Sequence, residues 1–344
     1  MHPGKFTLVP ALLLLFSASL FSRTPSAPID TTQTACQRQA MRLLDEALAL
    51  MQKHYYKKDS VQWSSLIAGA KEQLKTSGNC EEAYKTVNWC FGQLKENHSF
   101  LMPAPRAAVY NNDTTALAEK PQLKYLVGDI EGRLLDAHTA YISIPWVGTT
   151  DSTICHLVAD SLQSLIARLD ATGITKWIVD LRKNRGGNCW PMLAGVGPLL
   201  GNGTCGYFVS NTEKVPISYH DGAAMHGKYI RCRSTLAYKV KPANTSIAVL
   251  MGPRTSSAGE IVALAFRGKD QVSFYGAPTA GLTTANSTYM LSDKSMLVLT
   301  VCLEADRNGK VCEGKMLPDE IIDTDGPEKH DKVMARAKMW LDTK

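Results

Sequence analysis

The chain has 344 residues, 44% of them hydrophobic and 20% charged, the balance of an ordinary soluble globular protein. Its net charge of +6 is spread without any Lys/Arg block, so the electrostatic footprint of a nucleic-acid binder is missing. This length allows two compact units, one of them small.

Met1-His2-Pro3-Gly4-Lys5 forms a basic head, Phe6 to Phe21 an apolar run, and Ser22 to Ala27 a small, polar tail. That is the layout of a secretory signal peptide over residues 1–27, with cleavage between about Ala18 and Ala27. Pro10 and the nearby serines suit a retained membrane anchor poorly, and no cysteine sits where a lipid could attach. An exported protein, periplasmic or secreted, is the expectation. Export suits the nine cysteines, Cys36, Cys80, Cys90, Cys155, Cys189, Cys205, Cys232, Cys302 and Cys312. They form no C-x-x-C and no zinc-ligand spacing with histidine, which points to disulfides and to neither metal nor cofactor. Cys302 and Cys312 flank the turn Asp306-Arg307-Asn308-Gly309 and are the expected bridge.

Helical periodicity runs from about Ala35 to Glu96. Met41, Leu44, Leu48 and Met51 mark one stripe, Trp63, Ile67 and Leu74 a second, and Tyr84, Val87, Phe91 and Leu94 a third. Breaks at Lys57-Lys58-Asp59-Ser60 and Ser77-Gly78-Asn79 divide it into three helices, a small N-terminal helical domain over residues 33–105. Beyond it, strand-like runs alternate with helices. Ala140 to Ile144, Trp177 to Leu181, Ser246 to Met251, Val272 to Tyr275 and Met296 to Cys302 read as strands, and Cys155 to Leu169 and Ile261 to Phe266 as helices. This predicts an α/β core over residues 106–344, with no space before it for an inserted peptide-binding module of about a hundred residues.

Within that core, Thr255-Ser256-Ser257-Ala258-Gly259-Glu260 follows a strand and a Gly-Pro turn, which places small hydroxyl residues at a helix start. Free backbone N–H groups there can stabilise an oxyanion, as an acyl-transfer nucleophile needs; taken alone, the segment also describes a helix N-cap. Gly186-Gly187, just past the strand ending in Asp180-Leu181-Arg182, can bring further amides into a cleft or form a plain tight turn. Asn97-His98-Ser99 stands where the helices give way to the core, and His98 is the preferred proton acceptor among the eight histidines.

Together with Gly276-Ala277-Pro278-Thr279-Ala280-Gly281-Leu282-Thr283-Thr284 and Leu317-Pro318-Asp319, these motifs occur in the order seen in the C-terminal processing, or tail-specific, serine peptidases, which include the tricorn protease core. The resemblance spans roughly His98 to Asp319. It implies a ClpP/crotonase-like α/β core of ββα units behind the helical bundle, with Ser257 as nucleophile and the amides of Ala258 and Gly187 as oxyanion hole. The bacterial members use a Ser–Lys dyad, but Leu282 occupies the corresponding place here. The tricorn-like branch uses a histidine held by a glutamate near the Pro-Asp motif, which implies His98 and Glu313, with Glu304 and Glu320 as rivals. Ser256 is then a turn or cap residue, and Glu260 a first-turn acid that favours the helix dipole.

Asn97, Asn112, Asn202, Asn244 and Asn286 begin N-glycosylation sequons. A glycan beside His98 would obstruct the cleft, which favours a bacterial source. The expected activity is hydrolysis of peptide bonds in proteins or peptides. A non-catalytic binder of peptides or apolar ligands on the same fold is the alternative. An esterase or amidase is a third reading, although no Gly-x-Ser-x-Gly elbow surrounds Ser257.

Overall fold

The computed structural model describes residues 35–75, 82–113, 122–170, 174–241, 244–323 and 331–344. Residues 1–27 and the break at Ser77 to Asn79 lie outside them. Helices α1 (Ala35–His54), α2 (Trp63–Lys75) and α3 (Glu82–Gln93) come first, followed by strand β1 (Phe100–Met102) and helix α4 (Ala104–Tyr110). Then come β2 (Gly132–Leu134), β3 (Thr139–Ser143), α5 (Ser152–Leu169), β4 (Lys176–Asp180) and α6 (Cys189–Leu200). An antiparallel excursion of β5 (Gly203–Val209), β6 (Lys214–His220), β7 (Ala223–His226) and β8 (Tyr229–Arg233) follows. The chain closes with β9 (Ser246–Met251), α7 (Ala258–Phe266), β10 (Val272–Gly276), β11 (Thr284–Met290), β12 (Met296–Ala305), β13 (Val311–Cys312), β14 (Glu320–Ile321) and α8 (Lys332–Asp342).

One sheet has the order β14-β10-β9-β4-β3-β2, parallel except at the β2 edge. Its strands read as near-continuous apolar runs because both faces are covered. Alternate side chains divide between those faces. Ile142, Trp177, Val179, Ile247 and Val249 join the core under α5, α6 and α7, whereas Tyr141, Ile178, Ala248 and Leu250 meet Val333, Ala337 and Leu341 of α8. Loops at the carboxyl ends of β3, β4, β9 and β10 therefore open on one edge, where α/β sheets carry their sites.

The second sheet is antiparallel, in the order β1-β12-β5-β6-β7-β8, with β11 and β13 also paired to β12. Its Leu297 and Leu299 share a core with Leu44, Met51, Val87 and Phe91, so the three helices pack on β12 and do not enclose a separate core. Helix α6 is absent from the periodicity reading because its sequence, rich in glycine and proline, has no polar face. All its residues but Trp190 are buried, and a Cβ at Gly197 would lie 1.9 Å from the Tyr219 ring, so glycine allows α6 and β6 to meet. Cys302 and Cys312 correct one expectation, since both are free thiols. Cys312 pairs with Glu304, which leaves Cys302 two residues out of register. Such diagonal neighbours stand roughly 7–8 Å apart, beyond the roughly 4.4–6.8 Å between the Cα atoms of a bridged pair.

Helix α8 is fastened by one guanidinium. Arg182 donates to Asp180 at 3.0 and 2.7 Å, and to Asp331 at 2.8 and 2.7 Å. Asp331 in turn caps α8 by accepting from Met334 N–H at 3.0 Å. Arg182→Ala strands the buried Asp180 carboxylate and loosens α8, so it should lower the unfolding free energy by about 3 kcal/mol in urea denaturation.

Candidate active site

Two loops at the carboxyl edge are cross-linked by their own polar groups. The buried Thr255 hydroxyl donates to Leu181 C=O at 2.9 Å, and Ser256 N–H donates to Asn184 C=O at 3.1 Å. The Asn184 amide, fully buried, donates to Pro145 C=O at 3.0 Å and accepts from Gly186 N–H at 2.9 Å. The β3, β4 and β9 loops thus hold a common geometry through buried hydrogen bonds, each strengthened by its low-dielectric surroundings.

Ser257 occupies the N-cap of α7 with φ 52° and ψ −120°. A non-glycine residue there is strained, and the strain turns the side chain sharply out of the strand–helix turn. The N-cap of this helix is therefore Ser257 and not Ser256. His98 Nε2 lies 2.9 Å from Ser257 Oγ, and His98 Nδ1 lies 2.7 Å from Thr284 Oγ1. The tautomer with its proton on Nδ1 satisfies both contacts: Nδ1–H donates to Thr284, and Nε2 accepts from the serine hydroxyl. Burial lowers the imidazole pKa from 6.5 to about 4, so the ring is neutral at neutral pH.

Ala258 opens α7, and its N–H meets no acceptor among the described residues; the Gly187 N–H is also unclaimed. Gly187 has φ 103°, and a Cβ there would lie 2.0 Å from Val147 C=O, so both conformation and space require glycine. The neighbouring Gly186 packs against Ser257, with a Cβ position 3.0 Å from the serine Cβ. The turn that carries Gly187 thus meets the turn that carries Ser257 through Gly186.

Glu313 is not part of this cluster. Its carboxylate is exposed and pairs with Lys57 at 2.8 Å, while Glu320 pairs with Arg336 at 2.7 Å and Glu304 is buried without a hydrogen-bond partner. The group on His98 Nδ1 is a hydroxyl, Thr284, the last residue of the Gly276 to Thr284 motif. Three further residues hold the His98 backbone. Glu96 accepts from His98 N–H at 2.8 Å, Asn286 donates to His98 C=O at 3.0 Å, and the Thr300 hydroxyl contacts both at 3.0 and 2.9 Å. Asn286 was legible only as a sequon, and both ends of its amide are used internally.

Glu260 does more than favour the helix dipole. It is fully buried, and its oxygens accept from Ser257 N–H at 2.8 Å, Leu282 N–H at 2.8 Å and Gly281 N–H at 2.9 Å, and from the Thr279 hydroxyl. A cleft of about 1650 Å³ runs over the site between His54, Tyr55 and Tyr56 on the helical side and Trp190, Phe208 and Leu282 on the core side.

The depressed His98 pKa has a definite sign in stability. Between pH 6.5 and about 4 the unfolded chain binds a proton here that the folded chain does not. The contribution is complete above pH 6.5 and is lost as pH falls to about 4. Melting temperature should fall across that window, and less steeply in His98→Gln, as followed by circular dichroism.

The profile of Peptidase family S41 matches residues 138–322. The nisin-resistance protein of Lactococcus lactis subsp. lactis is 28% identical over 257 residues, 74% of each chain. In fold, the chain is similar to a lipoprotein from Streptococcus agalactiae, with a TM-score of 0.67 and 22% identity over 92% of this chain and 99% of that one. It is also similar to the photosystem II D1 C-terminal processing protease, with a TM-score of 0.54 and 14% identity over 88% and 97%. No helix among the described residues is long and apolar enough to cross a membrane. With more than half its length matched by that profile, the chain belongs to peptidase family S41, a family of serine peptidases.

Proposed function

We propose that this protein is an exported bacterial serine endopeptidase in which Ser257 attacks a peptide carbonyl and His98 is the general base. The reading is carried by the 2.9 Å contact between Ser257 Oγ and His98 Nε2, within reach for direct proton transfer. His98 Nε2 takes the hydroxyl proton as the C–O bond forms, and the carbonyl oxygen becomes an oxyanion held by the Ala258 and Gly187 amides. Each such donor contributes about 3–4 kcal/mol in well-studied peptidases. The imidazolium then gives its proton to the leaving amine as the C–N bond breaks, and water releases the acyl group by the same route.

Thr284 takes the orienting place that Glu313 was expected to fill. A hydroxyl fixes the ring and its tautomer but does not neutralise the imidazolium, so the oxyanion amides carry a larger share of the stabilisation. Export is supported by the similarity to a lipoprotein and to the nisin-resistance protein. The residue boundaries 1–27, 33–105 and 106–344 belong to the same proposal.

A fluorophosphonate probe should label Ser257, and His98→Ala should reduce labelling and peptide turnover by several orders of magnitude. Absence of labelling on folded protein favours the peptide-binding alternative. Thr284→Val should lower kcat about tenfold, the value of one neutral hydrogen bond, while Glu313→Gln leaves it unchanged. Because His98 stays neutral down to about pH 4, kcat/KM should hold through mildly acidic pH and fall only near that value. An acid limb near pH 6.5, the usual imidazole value, would contradict the buried, unpaired base.

A further inference from the structure

The walls of the cleft over Ser257 carry an excess of positive charge that the proposed mechanism does not use. Lys53, Lys58, Arg106, Arg185 and Arg231 line it, and none of them is ion-paired among the described residues. The acids on the same surface are only Asp59 and Glu213. A concave surface dominated by one sign of charge concentrates its field and draws in the opposite charge.

Two of these cations stand on either side of the turn that carries Gly187. Arg185 immediately precedes Gly186, whose Cβ position is 3.0 Å from the Ser257 Cβ, and its guanidinium lies over Trp146, 5.3 Å from the ring centroid. Past the turn, Trp190 of α6 lies under the guanidinium of Arg231, 5.8 Å from centroid to central carbon. Arg231 is the extra residue of a β-bulge: Ile230 and Cys232 pair with Met225 and Ala224, and Arg231 between them has no partner on β7. A bulge re-aims the side chain it carries, here from the edge strand β8 into the cleft lining. Stacking on an indole holds a guanidinium by its face and leaves its N–H edge free for a planar anion. Trp146 and Trp190 line the cleft as well, so both arginine–tryptophan pairs are open to a bound molecule.

We propose that the Arg185–Trp146 and Arg231–Trp190 pairs are anion subsites on either side of the Gly187 turn, and that they select peptides with aspartate or glutamate side chains near the bond presented to Ser257. A carboxylate accepts two N–H groups of a guanidinium in one plane, and its charge strengthens both hydrogen bonds. Because both arginines are exposed, salt weakens the attraction. The proposal rests on reading the cleft as a peptide groove, and it is tested by binding so that it stands or falls apart from turnover.

In the Ser257→Ala protein, calorimetry with C-terminally amidated peptides that carry glutamate or glutamine at each position in turn isolates the side-chain carboxylate. Glutamate should bind about tenfold tighter than glutamine at two positions, and the preference should shrink as salt is added. Adding Arg185→Met keeps an apolar stem over Trp146 and should remove the preference at one of them, and Arg231→Met should remove it at the other. Both residues are exposed, so neither variant should change the melting temperature. A glutamate-to-glutamine ratio of about one at every position, or a preference that survives both variants, overturns the proposal. So does tight binding that appears only with a free C-terminal carboxylate. An acidic preference in a protein whose Ser257 a fluorophosphonate probe leaves unlabelled would instead count against the Ser257 mechanism alone.

Discussion

The Glu260 carboxylate is the contact on which the rest of the site depends. One oxygen takes the Ser257 and Leu282 amides, and the other takes the Gly281 amide and the Thr279 hydroxyl. The nucleophile turn and the loop leading to Thr284 are thereby referenced to a single buried charge, and Thr284 in turn holds His98. Burial raises the Glu260 pKa, while its hydrogen bonds from the hydroxyl and the three amides lower it again. A buried carboxylate with so many donors is stiff, because the loss of any one leaves charge uncompensated. The resemblance puts the dyad lysine of other members at Leu282. Here that position contributes its backbone amide to the frame, and the proposed base, His98, comes from the helical side of the cleft.

A histidine as the proposed base alters the electrostatics. His98 is enclosed, faces hydroxyls on both ring nitrogens, and is pushed toward the neutral form by burial. A carboxylate partner would raise the pKa of the ring and offset its charge once protonated; Thr284 does neither. The ring is instead held by position, with Glu96 just beyond the end of α3, Asn286 of β11 and Thr300 of β12 fixing its backbone. Packing of the helical bundle on β12 is therefore part of the proposed catalytic geometry, in which His98 lies 2.9 Å from Ser257.

The buried strands and the helices with one apolar face were legible because their burial repeats with the period of the backbone. Trp177 to Leu181 and Ser246 to Met251 appear in the structure within a residue of their expected limits. Helix α6 was not legible: it is buried all round and carries Gly195, Gly197 and Pro198, so no polar face marks its period. The strands β5 to β8 have mixed burial and short turns, which blur the alternation.

The order of motifs, and with it the family, the serine on the helix-opening turn and the glycine pair past the strand were all legible along the chain. Each of these follows from local chemistry within a few residues. Three-dimensional packing settles what lies on the second nitrogen of His98, that Glu313 pairs with Lys57, that Cys302 and Cys312 stand out of register, and that Glu304 is buried without a hydrogen-bond partner. Those outcomes depend on strand register and on which distant segments meet, and residue spacing along the chain carries no direct information about either.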